Sequence, residues 1–278
     1  MIEVTFLVLL ALAWIIFASV EDLKKREVAN WLNFSLIVFA LGFRFFYSLF
    51  NGNYNFFVQG ILGLIIFFVI GNLLYYSRMF AGGDAKMMIA LGAILGFSGN
   101  FLVNLKIYFL FLFLFLFGGA IYGVSATLYL SLKYRMNFKK DFVKKIKENK
   151  RIISAVMALG LLFIIVGFFQ TPLLIFGALV FILPVFYVYV KTVDSVCMVR
   201  DVETKDLDEG EWLYKPVKVG RRIIKPSWEG LSSEEVKLIR KNYKIIRIKV
   251  GIAFLPVFLI AFLALWYLWE TGLWNLFW

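Results

Sequence analysis

VTFLVLLALAWIIFASVEDLKKR, residues 4–26, is an apolar run that ends on Glu21 and Asp22 and then on three cations, Lys24, Lys25 and Arg26. Its length matches the roughly 17–25 apolar residues a helix needs to cross the hydrocarbon of a bilayer. No basic residue precedes the run, so it reads as a retained first span, not a cleaved signal segment. Outward from this span, taken as 3–20, further apolar runs at 31–50, 55–76, 102–132, 152–169, 172–191 and 248–270 read as spans. The segment AKMMIALGAILGFS (85–98) is too short to cross comfortably, yet it lies between two spans that need a crossing between them. It is predicted to be a short or partly re-entrant helix. The fold class that follows is an all-α polytopic membrane protein, a bundle of about 7–8 transmembrane helices, with a small α+β cytoplasmic insert.

Charge supplies the orientation. With the N-terminus outside, the cytoplasmic pieces are 21–30, 77–86, 133–151 and 192–247, and they hold or border nearly every Lys and Arg. Arg44 and Lys106 stand apart. The exterior turns NGNYN, SGN and QTP carry no charge. Basic residues retain loops in the cytoplasm, so the net charge of +12 is read as a topological signal and no nucleic-acid partner is expected. Membrane lipids are the expected surroundings.

Five regions are predicted: a catalytic membrane core (1–132), a basic cytoplasmic loop (133–151), a transmembrane hairpin (152–191), a small cytoplasmic domain (192–247) and a C-terminal transmembrane helix (248–278). The basic stretch reads as a solvated retention loop, with an anionic leaflet as its alternative partner. In the small domain, EWLYKPVKVGRRIIKPSW reads as two short strands around Val219-Gly220. Ser232 with Glu235 three residues later reads as a capping box that opens a helix.

The 278 residues are 62% hydrophobic, with no histidine and a single cysteine, Cys197. Histidine-assisted serine or cysteine catalysis and histidine-ligated metal sites are therefore excluded. Carboxylate chemistry is the main hydrolytic option left, with Lys- or Ser-based schemes weaker; no cofactor is implied. Two carboxylates sit on the same predicted membrane face: Asp22 at the end of the first span, and Asp84 after the pair Gly82-Gly83. Acidic side chains near hydrocarbon are costly and tend to be functional. Adjacent carboxylates share a proton, one taking a proton from water while the other polarises a carbonyl. Glycines 82 and 83 let the backbone approach an extended substrate closely. The bland alternative is that both acids cap helices or terminate spans.

DLKKREVANW (22–31) and AGGDAK (81–86) resemble the two signatures of the type IV prepilin peptidases, membrane aspartic proteases that include archaeal preflagellin peptidases. Asp22 and Asn30 match the first signature, with Val28-Ala29 in place of Ile-Pro. Gly83, Asp84, Ala85 and Lys86 match the second, with Ala81 in the place of its first glycine. The resemblance covers 1–135 well, and the insert ending GLSSEEVKLIRK is similar to domains of archaeal members. It implies an aspartic endopeptidase with Asp22 and Asp84 catalytic, supported by Gly82, Gly83, Asn30 and Lys86. The implied substrates are preflagellin or type IV pilin-like precursors with a short basic leader, cut at the cytoplasmic face. Bacterial members carry two cysteine pairs and often methylate the new N-terminus; a chain with one cysteine resembles the peptidase-only archaeal type.

Taken alone, Asn30 reads as an N-cap of the second span and Lys86 as a snorkelling cation. Glu21 and Glu27 are candidates to receive a cationic leader. So is the cluster Glu203, Asp206, Asp208, Glu209 and Glu211, whose plainer reading is a solvated acidic edge. The competing classes are an ion- or proton-coupled transporter using paired carboxylates and an inactive scaffold. Whether the two aspartates already meet without substrate is left open, with the expectation that they stand apart.

Overall fold

A computed structural model describes residues 2–220 and 222–278. Five helices come first: α1 (Ile2–Lys25), α2 (Asn30–Phe50), α3 (Asn55–Tyr76), the short α4 (Gly82–Gly92) and the long α5 (Phe101–Lys133). Then come α6 (Arg135–Glu148), α7 (Lys150–Gly167) and α8 (Thr171–Thr192), the last extended by a π-helical turn over Val193–Cys197. Strands β1 (Val199–Glu203), β2 (Trp212–Leu213), β3 (Val217–Val219) and β4 (Arg222–Ile224) precede α9 (Ser233–Asn242), β5 (Ile245–Lys249) and α10 (Leu255–Glu270). Among the described residues six helices are long and apolar enough to cross a membrane, and α10 is a shorter apolar helix of 16 residues. The chain is a polytopic, mainly helical membrane protein with a small mixed insert.

The molecule divides into two compact units, Met1–Val124 with Ile252–Trp278, and Ser125–Gly251. In the first, Leu7, Ile15, Phe67, Phe111, Phe115, Phe258 and Phe262 form a continuous buried core. Helix α4 seats directly on α3. A Cβ on Gly63 would lie 2.2 Å from the carbonyl oxygen of Gly92, and one on Gly92 would lie 2.6 Å from that of Gly63. Only glycine at both positions allows this backbone-to-backbone contact, the usual device where hydrocarbon offers no hydrophobic drive.

The expected helix over 85–98 ends at Gly92, and the following backbone is irregular. Carbonyl groups freed there would be costly in an apolar setting. Arg44 of α2, fully buried, supplies the missing donors. Its Nε donates to the carbonyl of Ala93 and its Nη2 to those of Ile94 and Gly96, each at 2.9 Å. Its Nη1 donates to Phe56 at 2.8 Å, and the guanidinium lies 4.3 Å from the Phe56 ring centroid. This answers why Arg44 lies outside the charge pattern: it holds together the end of a helix that stops short. The second exception, Lys106, sits 5.3 Å from the Trp278 ring centroid, a cation–π contact.

In the second unit, 133–151 is not a loop. It folds as α6, with none of its residues buried and with Phe138 against Tyr189 of α8. Lys145 donates to Asp141 at 2.7 Å and to Ser195 at 2.5 Å, and its hydrogen bond holds the Asp141 carboxyl below the usual carboxylate range. The insert packs β1-β5-β2 antiparallel beside the β3-β4 hairpin, whose turn falls at the expected Val219-Gly220. Along β5, Ile246 and Ile248 are buried while Ile245 and Arg247 face outward, the period of two that a half-covered strand requires. Strand β5 pairs as far as Lys249, so the last apolar helix begins at Leu255, not at 248.

The capping box at α9 is present in full: Ser232 accepts from the Glu235 N–H, and Glu235 accepts from the Ser232 N–H at 3.0 Å. Ser232→Ala is expected to lower the stability of the insert by about 1 kcal/mol, measured as earlier local hydrogen exchange in α9. Unchanged exchange there would show that the cap contributes nothing.

Candidate active site

Asp22 lies in the last turn of α1. The helix closes just beyond it, at Arg26, whose left-handed φ of 62° ends the α1 spiral and whose N–H donates to the Asp22 carbonyl at 2.9 Å. The Asp22 side chain is turned inward and is only 7% exposed. Its Oδ2 accepts the N–H of Leu255 at 3.0 Å. Leu255 is the first residue of α10, so Asp22 satisfies a free donor at the start of a helix 233 positions away. The positive end of that helix favours a carboxylate.

Asp84 is the third residue of α4 and is partly exposed. The position before the helix, Ala81, offers no side-chain cap, and Asp84 stands as the acidic residue of the first turn. Gly83 faces Val28, at 3.6 Å from an added Cβ to the Val28 Cβ, so the turn after α1 touches the start of α4. The charge of Asp22 acts on Asp84. Among the described residues no hydrogen bond joins the two carboxylates, and Asp22 is engaged with the Leu255 N–H.

The supporting residues meet in an unexpected way. Asn30 is not the cap of α2, since Ala29 occupies that position. Its Oδ1 accepts from Lys86 Nζ at 2.6 Å. Lys86 is therefore tied to α2, where a cation reaching for lipid was expected, and the pair fastens the first turn of α2 to the second turn of α4. Glu21 is also in use: it accepts the Ala29 N–H at 3.2 Å and lies 3.8 Å from Lys25, bracing the turn between α1 and α2. Glu27 is exposed. The acidic residues 203–211 lie on the insert, in the second unit, where Glu203 pairs with Lys205 and Glu211 accepts the Asp208 N–H.

Three contributors escaped the sequence reading. Leu255 and Phe254 bring the α10 N-terminus to Asp22, and Tyr122 of α5 lies within electrostatic reach of Asp22 while packing on Phe254. Pro256 in the first turn of α10 signals a helix start, but nothing local says which acid meets it. Tyr122 has no distinguishing signal at all.

Residues 9–124 match the type IV leader peptidase family. Both aspartates fall inside the match. The chain is also similar to preflagellin peptidases of three archaea. It is 35% identical over 81 residues to that of Methanococcus maripaludis, covering 29% of this chain and 35% of the relative. To that of Methanococcus voltae it is 29% identical over 146 residues, covering 50% and 61%. To that of Methanocaldococcus jannaschii it is 30% identical over 81 residues, covering 29% and 34%. The chain thus spans between about a third and three-fifths of the length of these curated relatives. No solved structure matches it.

Ala81, which departs from the expected Gly-x-Gly-Asp pattern, carries no backbone strain. Its φ of −71° and ψ of 162° are ordinary extended values, and the residue is exposed. A methyl group fits there, because no left-handed turn demands glycine.

Proposed function

We propose that this protein is a membrane aspartic endopeptidase that removes short basic leaders from preflagellin or type IV pilin-like precursors, with Asp22 and Asp84 activating the attacking water. The observation that carries the reading is the placement of the two carboxylates. Each stands at a helix end in one compact unit, inside the stretch that matches the leader peptidase family, and the turn after the first touches the start of the helix that carries the second.

The chemistry needs no other group. One carboxylate accepts a proton from water as the oxygen attacks the scissile carbonyl carbon, and the other, protonated, donates to the carbonyl oxygen. Collapse of the tetrahedral intermediate breaks the C–N bond, and the proton taken from water passes to the leaving amine. In the substrate-free state Asp22 satisfies a backbone N–H, and substrate brings the two acids into register, as catalytic contacts often tighten only on binding. The N-terminus lies outside and the site faces the cytoplasm, with the basic residues on that side. With Cys197 as its one cysteine, the enzyme is a peptidase without methyltransferase activity.

Incubating membranes that contain the protein with one preflagellin and one prepilin precursor, and mapping the new N-termini, tests this reading. Cleavage of either directly after its basic leader, unchanged by chelators, is expected. No cleavage of either precursor, or activity abolished by EDTA and restored by a divalent metal, would overturn it.

A further inference from the structure

Beside the start of α4 lies a groove of about 620 Å³ between α2, α3 and α4, a volume in the range of built ligand sites. Its position links it to the candidate active site: Gly82, two residues before Asp84, forms part of its wall. Tyr75 and Tyr76, at the end of α3, lie at one end, and Ile37, Leu64 and Phe68 line the other. The groove thus runs from a polar mouth at the helix ends into an apolar interior.

One residue in its wall has nothing to bind. Asn33, in the first turn of α2, is 1% exposed, and neither its Oδ1 nor its Nδ2 has a hydrogen-bond partner. A buried carboxamide with both its acceptor and its donor unmet is costly. Two nearby carboxamides do find partners: Asn30 accepts from Lys86, and Asn72 donates to the Phe68 carbonyl at 2.8 Å. A carboxamide that offers one donor and one acceptor side by side complements a peptide unit, which offers the same two. A lipid acyl chain offers neither.

We propose that this groove receives the extended apolar residues of the precursor that follow the scissile bond, with Asn33 pairing with their backbone amide. The inference rests on the peptidase reading and adds to it a place for the substrate chain. The polarity of the groove follows that of such a substrate, polar at the mouth near Asp84 and apolar within. Asn33 is a positioning residue: it holds the chain in register and takes no part in the proton transfers.

The test uses the full-length protein in liposomes and a synthetic precursor with a Lys/Arg leader and a hydrophobic segment. Asn33→Leu, with the same number of side-chain heavy atoms but unable to hydrogen-bond, should raise KM about tenfold, the size expected for two neutral hydrogen bonds lost. Its kcat should stay within about twofold. A photo-cross-linker at Phe68, in an Asp84→Asn background, should capture the precursor. The same cross-linker at Phe109, exposed on α5, should capture lipid. The cross-linking arm leaves Asn33 intact, so it decides the matter even if Asn33→Leu fails to fold. Wild-type cleavage combined with capture of lipid alone from Phe68, or with an unchanged KM in a folded Asn33→Leu, would overturn the groove and leave the peptidase reading standing. Capture of the precursor from Phe68 without cleavage by the wild type would sink the peptidase reading and keep the groove as a peptide site. Neither cleavage nor capture would overturn both.

Discussion

Asp22→Asn and Asp84→Asn are each expected to reduce cleavage of a preflagellin or prepilin precursor by about a thousandfold or more, since a missing acid–base group removes an essential proton transfer. The amide is the informative substitution because of what it keeps. In Asp22→Asn the side-chain oxygen can still accept the Leu255 N–H that Asp22 accepts at 3.0 Å, so α10 stays capped and the core should stay folded. In Asp84→Asn the side chain keeps its size and an oxygen in the first turn of α4. Loss of activity in a protein that melts like the wild type therefore points to chemistry. If the acids were only caps, Asp22→Asn would keep near wild-type activity, while Asp22→Leu would destabilise the molecule by about 1 kcal/mol or more. That outcome would remove the proposed dyad.

Arg44→Leu is expected to be the most damaging single substitution for folding. It strips donors from four carbonyls, those of Phe56, Ala93, Ile94 and Gly96, in a place where the arginine itself is fully buried. Each carbonyl left without a partner costs about 1–3 kcal/mol, so the total is on the order of the whole stability of a typical domain. Arg44→Lys keeps the charge but brings one ammonium where a planar fork reaches several carbonyls, so it should fall between the two. Thermal unfolding in detergent measures this directly: a large drop for Leu, a smaller one for Lys. A Leu variant melting within a few degrees of the wild type would show that the irregular turn after α4 does not depend on Arg44. The space Arg44 occupies belongs to the same arrangement, since an added Cβ on Gly60 would meet the Arg44 Cδ at 2.4 Å.

The first span, the strand hairpin at Val219-Gly220 and the capping box at Ser232 were readable because each is written in neighbouring residues. Apolar run length, turn glycine and cap spacing are local properties of the chain. The misreadings share the opposite cause. Residues 93–98 look helical in composition, yet they turn away after Gly92 because a side chain 49 positions earlier collects their carbonyls. The basic stretch 133–151 looks like a solvated loop, but its residues 135–148 fold as a helix held by Lys145 against Ser195. The last apolar run loses its beginning to a strand, because Val199 and Trp212 pair with Lys249.

The candidate site divides along the same line. That Asp22 and Asp84 are costly acids at the ends of apolar helices, and that the absence of histidine leaves carboxylates as the main hydrolytic groups, is decided by residue order alone. That Asp22 faces Leu255, that Asn30 holds Lys86, and that Asn33 is buried with nothing to bind is decided only by tertiary structure. The physical reason lies in the helices themselves. Spans such as α3 and α5 are apolar on every side, so their sequences carry no stripe that says which neighbour each face will meet. Neighbours are chosen by close packing, as where Gly63 meets Gly92, and by the few polar groups that must find partners away from water.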